Sequence, residues 1–134
     1  MELFTLPTPR LKISERRFIA DHLTRENSDF QRALTSGAAS GSIAICLDRG
    51  EIIGWARTEK WDGHNTLEAF VQQPYRRRGV ARLCAAGLAA DNAFDECRSV
   101  AVFRESMLQL AKCVGLEPLL FGRKPDGSWR LEWI

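Results

Sequence analysis

The stretch FVQQPYRRRGVARLC, Phe70 to Cys84, constrains this chain more than any other. It reads as a short apolar strand, a basic turn and an amphipathic helix in direct succession. Leu67, Ala69 and Val71, all apolar, alternate with Thr66, Glu68 and the apolar Phe70, and the run reads as a strand covered on both faces. After the turn, Val80, Leu83, Cys84, Gly87 and Leu88 recur at the spacing of one helix face. Between the two, Arg76, Gly79 and Ala81 fall as R-x-x-G-x-A. The first turn of a helix has N–H groups without intrahelical partners, and the helix dipole adds partial positive charge there. Glycine lets the backbone approach an anion closely, alanine keeps the next position small, and arginine binds phosphate oxygens through two donors at once. The segment therefore suits a phosphorylated ligand. The bare three-residue pattern is weak alone, because a plain strand–turn–helix with solvated arginines obeys the same local physics.

Bulk properties bound the class. A chain of 134 residues reads as one domain, 1–134, long enough for a proper core. Hydrophobic content of 45% and charged content of 27% are those of an ordinary globular protein. A net charge of +2 gives no sign of a nucleic-acid binder. No run approaches the ~18 apolar residues of a membrane span, and Met1–Arg10 lacks the apolar core of a signal peptide. A cytoplasmic protein with no membrane partner is expected. The cysteines, Cys46, Cys84, Cys97 and Cys113, form no C-x-x-C pair and sit mostly among apolar residues. They read as buried reduced thiols, and no metal site is expected.

The remaining elements can be placed along the chain. Leu3–Leu6 reads as an edge strand closed by Pro7 and Pro9. Ser14 reads as an N-cap, with Ile13 and Phe18 as a hydrophobic staple. Phe18, Ile19, His22 and Leu23 share a face of the helix that follows, and a second helix starts near Ser28. Ile43, Ile45 and Leu47 lead through Asp48–Arg49–Gly50 to Ile52, Ile53 and Trp55 as a hairpin. Lys60–Asn65 reads as a turn, Val100–Phe103 as a strand, and Glu105–Val114 as a helix stopped by Gly115. A last hairpin joins Leu119–Phe121 to Trp129–Trp133 around Pro125–Asp126–Gly127.

With these elements in order, the chain resembles the GNAT N-acetyltransferase superfamily. There a central strand precedes a pyrophosphate loop Q/R-x-x-G-x-G/A and its helix, and Val71 through Ala81 fit that register without insertion, with proline at 74 rather than 73. Gly54–Trp55–Ala56 resembles the strand before the cofactor strand, and Gly115–Leu116 stands where the family often ends a helix with G-F. The resemblance implies an α/β (α+β) fold: a mixed, mainly antiparallel central sheet, helices on both faces, and two central strands splayed into a wedge. It implies acetyl-CoA or another acyl-CoA as co-substrate. The cofactor-binding residues would be Phe70, Val71, Arg76, Arg77, Arg78, Gly79, Val80, Ala81 and Ser106. A backbone N–H near Phe70 or Val71 would steady the oxyanion.

General base and acid are less legible. Glu68 lies on the cofactor strand, where many relatives keep a base or a water-holding carboxylate, and it is the catalytic candidate; a salt-bridged carboxylate is the competing reading. The family's thiolate-protonating tyrosine position is Ala111, and Tyr75, the one tyrosine, suits packing better. His22, His64 and Asp62 could face an acceptor, although none is required to, and the four tryptophans suit strand packing. Carboxylates near the expected mouth (Glu26, Asp29, Asp62, Glu68) are few, which favours a peptide or an amino-acid-like amine over a polyamine. The expected activity is acyl transfer from acyl-CoA to an amine-bearing small molecule or peptide. The alternatives are a catalytically weak acyl-CoA sensor or interaction module, and a nucleic-acid module built on Arg76–Arg78, which the spread of carboxylates disfavours. A homodimer is compatible with the chain.

Overall fold

The structure, a computed structural model, describes residues 1–24, 28–123 and 129–132. Strand β1 (Glu2–Pro7) leads into helices α1 (Ile13–His22) and α2 (Ser28–Ser36), followed by β2 (Ser42–Asp48) and β3 (Glu51–Thr58). Short strands β4 (Lys60–Trp61), β5 (His64–Thr66) and β6 (Glu68–Val71) precede helix α3 (Val80–Ala90). Strand β7 (Ser99–Val102), helix α4 (Ser106–Cys113), β8 (Glu117–Arg123) and β9 (Trp129–Glu132) complete the order. One sheet runs β1-β2-β3-β6 and is antiparallel throughout; the other runs β4-β5-β7-β8-β9, with β7 parallel to both neighbours.

The period-2 pattern of β2 explains the layering. Ala44 and Cys46 point to one face, where α3 packs through Val80, Cys84 and Leu88. Ile43 and Ile45 point to the other, beneath Ile19 and Leu23 of α1 and Phe30 and Leu34 of α2. Both faces are thus covered by helices, as the mixed α/β reading requires. The tight β2–β3 turn places Arg49 at φ 53° and Gly50 at φ 80°, the left-handed pair that two-residue hairpins favour.

Three expectations need correction. Helix α1 begins at Ile13 with Lys12 as its N-cap, not Ser14, because the Glu15 carboxylate accepts from the Lys12 N–H at 2.9 Å. Ile13 is consequently turned outward, 62% exposed, and forms no staple; Leu11 is the buried residue at this end. Lys60–Asn65 is a miniature hairpin, β4 to β5, turning at Asp62 and Gly63. The turn expected at Pro125–Asp126–Gly127 lies outside the described residues, as do Glu26 and Trp133. Among the described residues, no helix is long and apolar enough to cross a membrane.

Gly54 is where β3, β6 and α3 converge. A Cβ there would stand 3.0 Å from the Phe70 carbonyl oxygen, 3.0 Å from Val80 Cγ1 and 3.2 Å from Val71 Cγ2. Gly54→Ala should therefore cost about 1–3 kcal/mol through overpacking, read as a lower urea midpoint with an unchanged slope.

Candidate functional site

Residues 64–71 run as one strand that changes partners. On its odd-numbered side Asn65 and Thr66 register with Val100 and Ala101 of β7, and the Leu67 N–H donates to the Ala101 carbonyl at 3.1 Å. On its even-numbered side the Gln72 N–H donates to the Ile53 carbonyl at 2.8 Å, which continues the β3 ladder. Alternation in an antiparallel pair then fixes the rest: Glu68 and Phe70 bond to β3, whereas Ala69 and Val71 turn their N–H and C=O groups away from it. Beyond Leu67, β7 diverges, and those groups open into a wedge. Two arginines reach their carbonyls. Arg104 Nη2 donates to the Ala69 carbonyl across the wedge at 3.3 Å, and Arg76 Nε donates to the Val71 carbonyl at 2.9 Å. Of the two N–H groups to which the resemblance points, that of Val71 therefore opens into the wedge, whereas the backbone of Phe70 pairs with Trp55.

The wedge widens into a cleft of about 1260 Å³. One half is basic. Arg76, Arg77 and Arg82 line it together with Gly79, Val80 and Ala81, the start of α3. Gly79 is the N-cap of α3 in the left-handed region, φ 78°, and no side chain caps this end. Arg77 also adopts positive φ, 62°, so the loop passes twice through the left-handed region before α3 begins. A Cβ on Gly79 would meet nothing within 4 Å, so glycine is required here by its dihedral angle and not by crowding. Arg78 is outside the cleft lining, with its guanidinium 5.9 Å from the Tyr75 ring. Ser106 lines the cleft at the first residue of α4. An uncapped helix start, an open glycine and three arginines fit a phosphorylated ligand.

The other half is lined by Trp61, Glu68, Phe70, Phe103, Asp29 and Thr24. Glu68 and Arg57 are opposite each other across β6 and β3, and Arg57 Nε meets Glu68 Oε2 at 3.1 Å. Arg57 also pairs with Glu59 at 3.0 Å and lies 3.8 Å over the Phe30 ring. Its side chain is only 5% exposed. Both readings of Glu68 thus have a physical basis: it is salt-bridged and it faces the cleft.

Several remaining candidates have other places. Tyr75 hydrogen-bonds Asp48, and burial first, then the Asp48 charge, raises its hydroxyl above the ordinary value of 10.0. It is a packing residue at the cleft edge. Ala111 is fully buried between Met107 and Leu116, so a tyrosine there would face the core of this chain. Trp55 is core, its Nε1–H donating to the Leu23 carbonyl at 2.9 Å. His22 is exposed against Phe18, and His64 is half-buried against Phe121. Sequence reasoning missed Arg57, Arg82, Arg104, Trp61 and Phe103. Arg82 had a signal, since it stands one turn after Gly79; the others belong to no motif.

The cysteines divide. Cys46 and Cys84 are buried, as expected, but Cys97 and Cys113 are exposed, because one follows α3 in a loop and the other ends α4. Burial first, with Cys46 as neighbour, pushes the Cys84 thiol up to about 12 from 9.0. The unfolded chain therefore loses this proton first, so the contribution to stability is complete below pH 9 and is lost as pH rises toward 12.

No protein-family model and no curated protein sequence matches the chain. Solved structures do. One crystal form of an aminoglycoside N-acetyltransferase, AAC(6')-Iy, in complex with CoA aligns over 99% of this chain and 90% of that one, at TM-score 0.57 and 16% identity. A second crystal form aligns over 87% and 91%, at TM-score 0.52 and 18% identity. At such identities the likeness establishes the fold and nothing finer.

Two outcomes are expected from this geometry. A thiol reagent at pH 8 should label Cys97 and Cys113 in the native protein, and Cys46 and Cys84 only after unfolding. Arg57→Met should destabilise by about 3 kcal/mol in urea unfolding, because it leaves two carboxylates facing each other without their cation.

Proposed function

From a chain that has the GNAT fold, we propose an acyl-CoA-dependent N-acyltransferase: one cytoplasmic domain, 1–134, that moves an acetyl group from acetyl-CoA to the primary amine of a small molecule or peptide, without a metal. The observation that carries this reading is the wedge, in which the outward N–H groups of Ala69 and Val71 lead directly to the uncapped start of α3.

The roles follow from position. The N–H groups of Arg77 through Ala81, with the Arg76, Arg77 and Arg82 side chains, hold the pyrophosphate. Arg78 borders the loop from the Tyr75 side, and Ser106 supplies a hydroxyl at the wedge floor. Phe70 and Val71 wall the channel in which the thioester lies. The co-substrate supplies an activated acyl group. The amine nitrogen attacks the thioester carbonyl carbon; the C–N bond forms, the C–S bond breaks, and CoA leaves as thiolate. The Val71 N–H donates to the carbonyl oxygen as charge develops there. Glu68 takes the proton that the amine loses, directly or through water. With Ala111 in the core, the thiolate is protonated by solvent, which suits a thiol of ordinary pKa near 8.5. Holding both reactants in one cleft accounts for much of the acceleration.

Arg76 and Arg77 line a cleft and only Arg78 lies outside it, which disfavours the broad basic face that the nucleic-acid reading needs. A binding-only sensor remains the second reading, because Ala111 offers no acid.

Calorimetry with acetyl-CoA, CoA and ATP tests the proposal: micromolar binding of the first two and none of ATP is expected. Arg76→Ala combined with Gly79→Asp should abolish that binding, and intact affinity would remove the pyrophosphate assignment. Glu68→Gln should lower turnover by about 10²-fold below the acceptor's pKa; equal rates across pH would remove Glu68 from the reaction.

A further inference from the structure

The face of β5, β7 and β8 opposite α4 is aromatic. Val100 and Val102 turn toward α3 and α4, while Trp61, His64, Phe103 and Phe121 gather on the other side. Trp61 is set edge-to-face against Phe103, with centroids 5.1 Å apart at 88°, and against Phe121, 5.0 Å apart at 86°. Two perpendicular neighbours hold the indole in one orientation, so an aromatic ligand meets a preformed wall. Trp61 and Phe103 line the same cleft as Glu68. The parallel register of β5 and β7 continues to bring Phe103 opposite Glu68 across the wedge.

Among the described residues, the carboxylates that line this half of the cleft are Glu68 and Asp29, paired with Arg57 and Arg32 respectively. Arg104 stands on the facing wall. One ammonium can lie near Glu68 and lose its proton there. A second ammonium on the same molecule would be desolvated beside Arg57 or Arg104, and among the described residues of this half no unpaired carboxylate is left to meet it.

Building on the acyltransferase reading above, we infer that the acceptor is a small monoamine with an aromatic body, its ring against Trp61 and Phe103 and its nitrogen toward Glu68. The nitrogen forms the amide bond to the acetyl carbon, the thioester C–S bond breaks, and the amine's proton leaves through Glu68. A polycationic amine does not fit this charge arrangement.

The test is thiol release at saturating acetyl-CoA with 2-phenylethylamine, ethylamine, spermidine, an aminoglycoside and a short peptide with a free N-terminus. The expected kcat/KM for 2-phenylethylamine exceeds that for ethylamine by roughly tenfold or more, with the polycations and the peptide slower still. Trp61→Leu should reduce the ratio of the 2-phenylethylamine to the ethylamine rate. If that variant does not fold, Phe103→Leu reads the same ratio. A merely structural role would lower both rates together and leave the ratio intact, which would overturn the assignment. Preference for spermidine, the aminoglycoside or the peptide would overturn it too, as would no acetylation of 2-phenylethylamine by protein that still binds acetyl-CoA. Loss of acetyl-CoA binding itself would remove the acyltransferase reading, and this inference with it.

Discussion

A strand inside a sheet needs a hydrogen-bonding neighbour on each side, and residues 64–71 keep one on only half of their length. Through Leu67 the odd-numbered residues bond to β7; past it, Ala69 and Val71 face a gap. Leaving a buried backbone group without a partner costs about 1–3 kcal/mol, so a wedge of this kind persists only if something else reaches the exposed groups. Arg104 and Arg76 do so at the two carbonyls. The N–H groups remain directed into the cleft, where a ligand can accept from them. The opening between the sheets, its walls and the access to α3 all depend on this divergence.

The two halves of the cleft show opposite electrostatic solutions. At the α3 end, cationic side chains and the start of a helix are collected with no carboxylate among the described residues that line it, an arrangement that suits an anion. At the other end, opposite charges cancel: a nearly buried Arg57 is shared by Glu59 and Glu68 and stacked on Phe30. Removing both ions from water is costly, and the pair repays it through cross-strand geometry and two carboxylates around one guanidinium. The same pair links the β3–β6 ladder to the helix layer above it, since Phe30 belongs to α2.

Elements whose evidence is local were legible. The hairpin at Asp48–Gly50, the helix after Gly79 and the strand at Val100 follow from turn residues and from periods of 2 and 3.6, which neighbouring residues alone produce. Where two local signals competed, the weaker-looking one prevailed: Glu15 capping back to Lys12 set the start of α1, against the more familiar Ser14. Exposure of Cys97 and Cys113 was misjudged for a related reason. Apolar neighbours in sequence predict burial only if the residue falls on the packed side, and the ends of α3 and α4 decide that.

From its sequence alone the chain specified a strand, a basic turn with glycine at 79 and a helix start, because such a turn is built by consecutive residues whose backbone preferences and charges are intrinsic. The sequence also specified which strands alternate and which helices are amphipathic. Only the tertiary structure decided that Arg57 meets Glu68, that Arg104 crosses the wedge, and that Trp61, Phe103 and Phe121 form one wall. These contacts join residues separated by up to sixty positions, and no local preference encodes them. They arise where two sheets part at Leu67, and their partners are set by strand register, a property of the assembled fold.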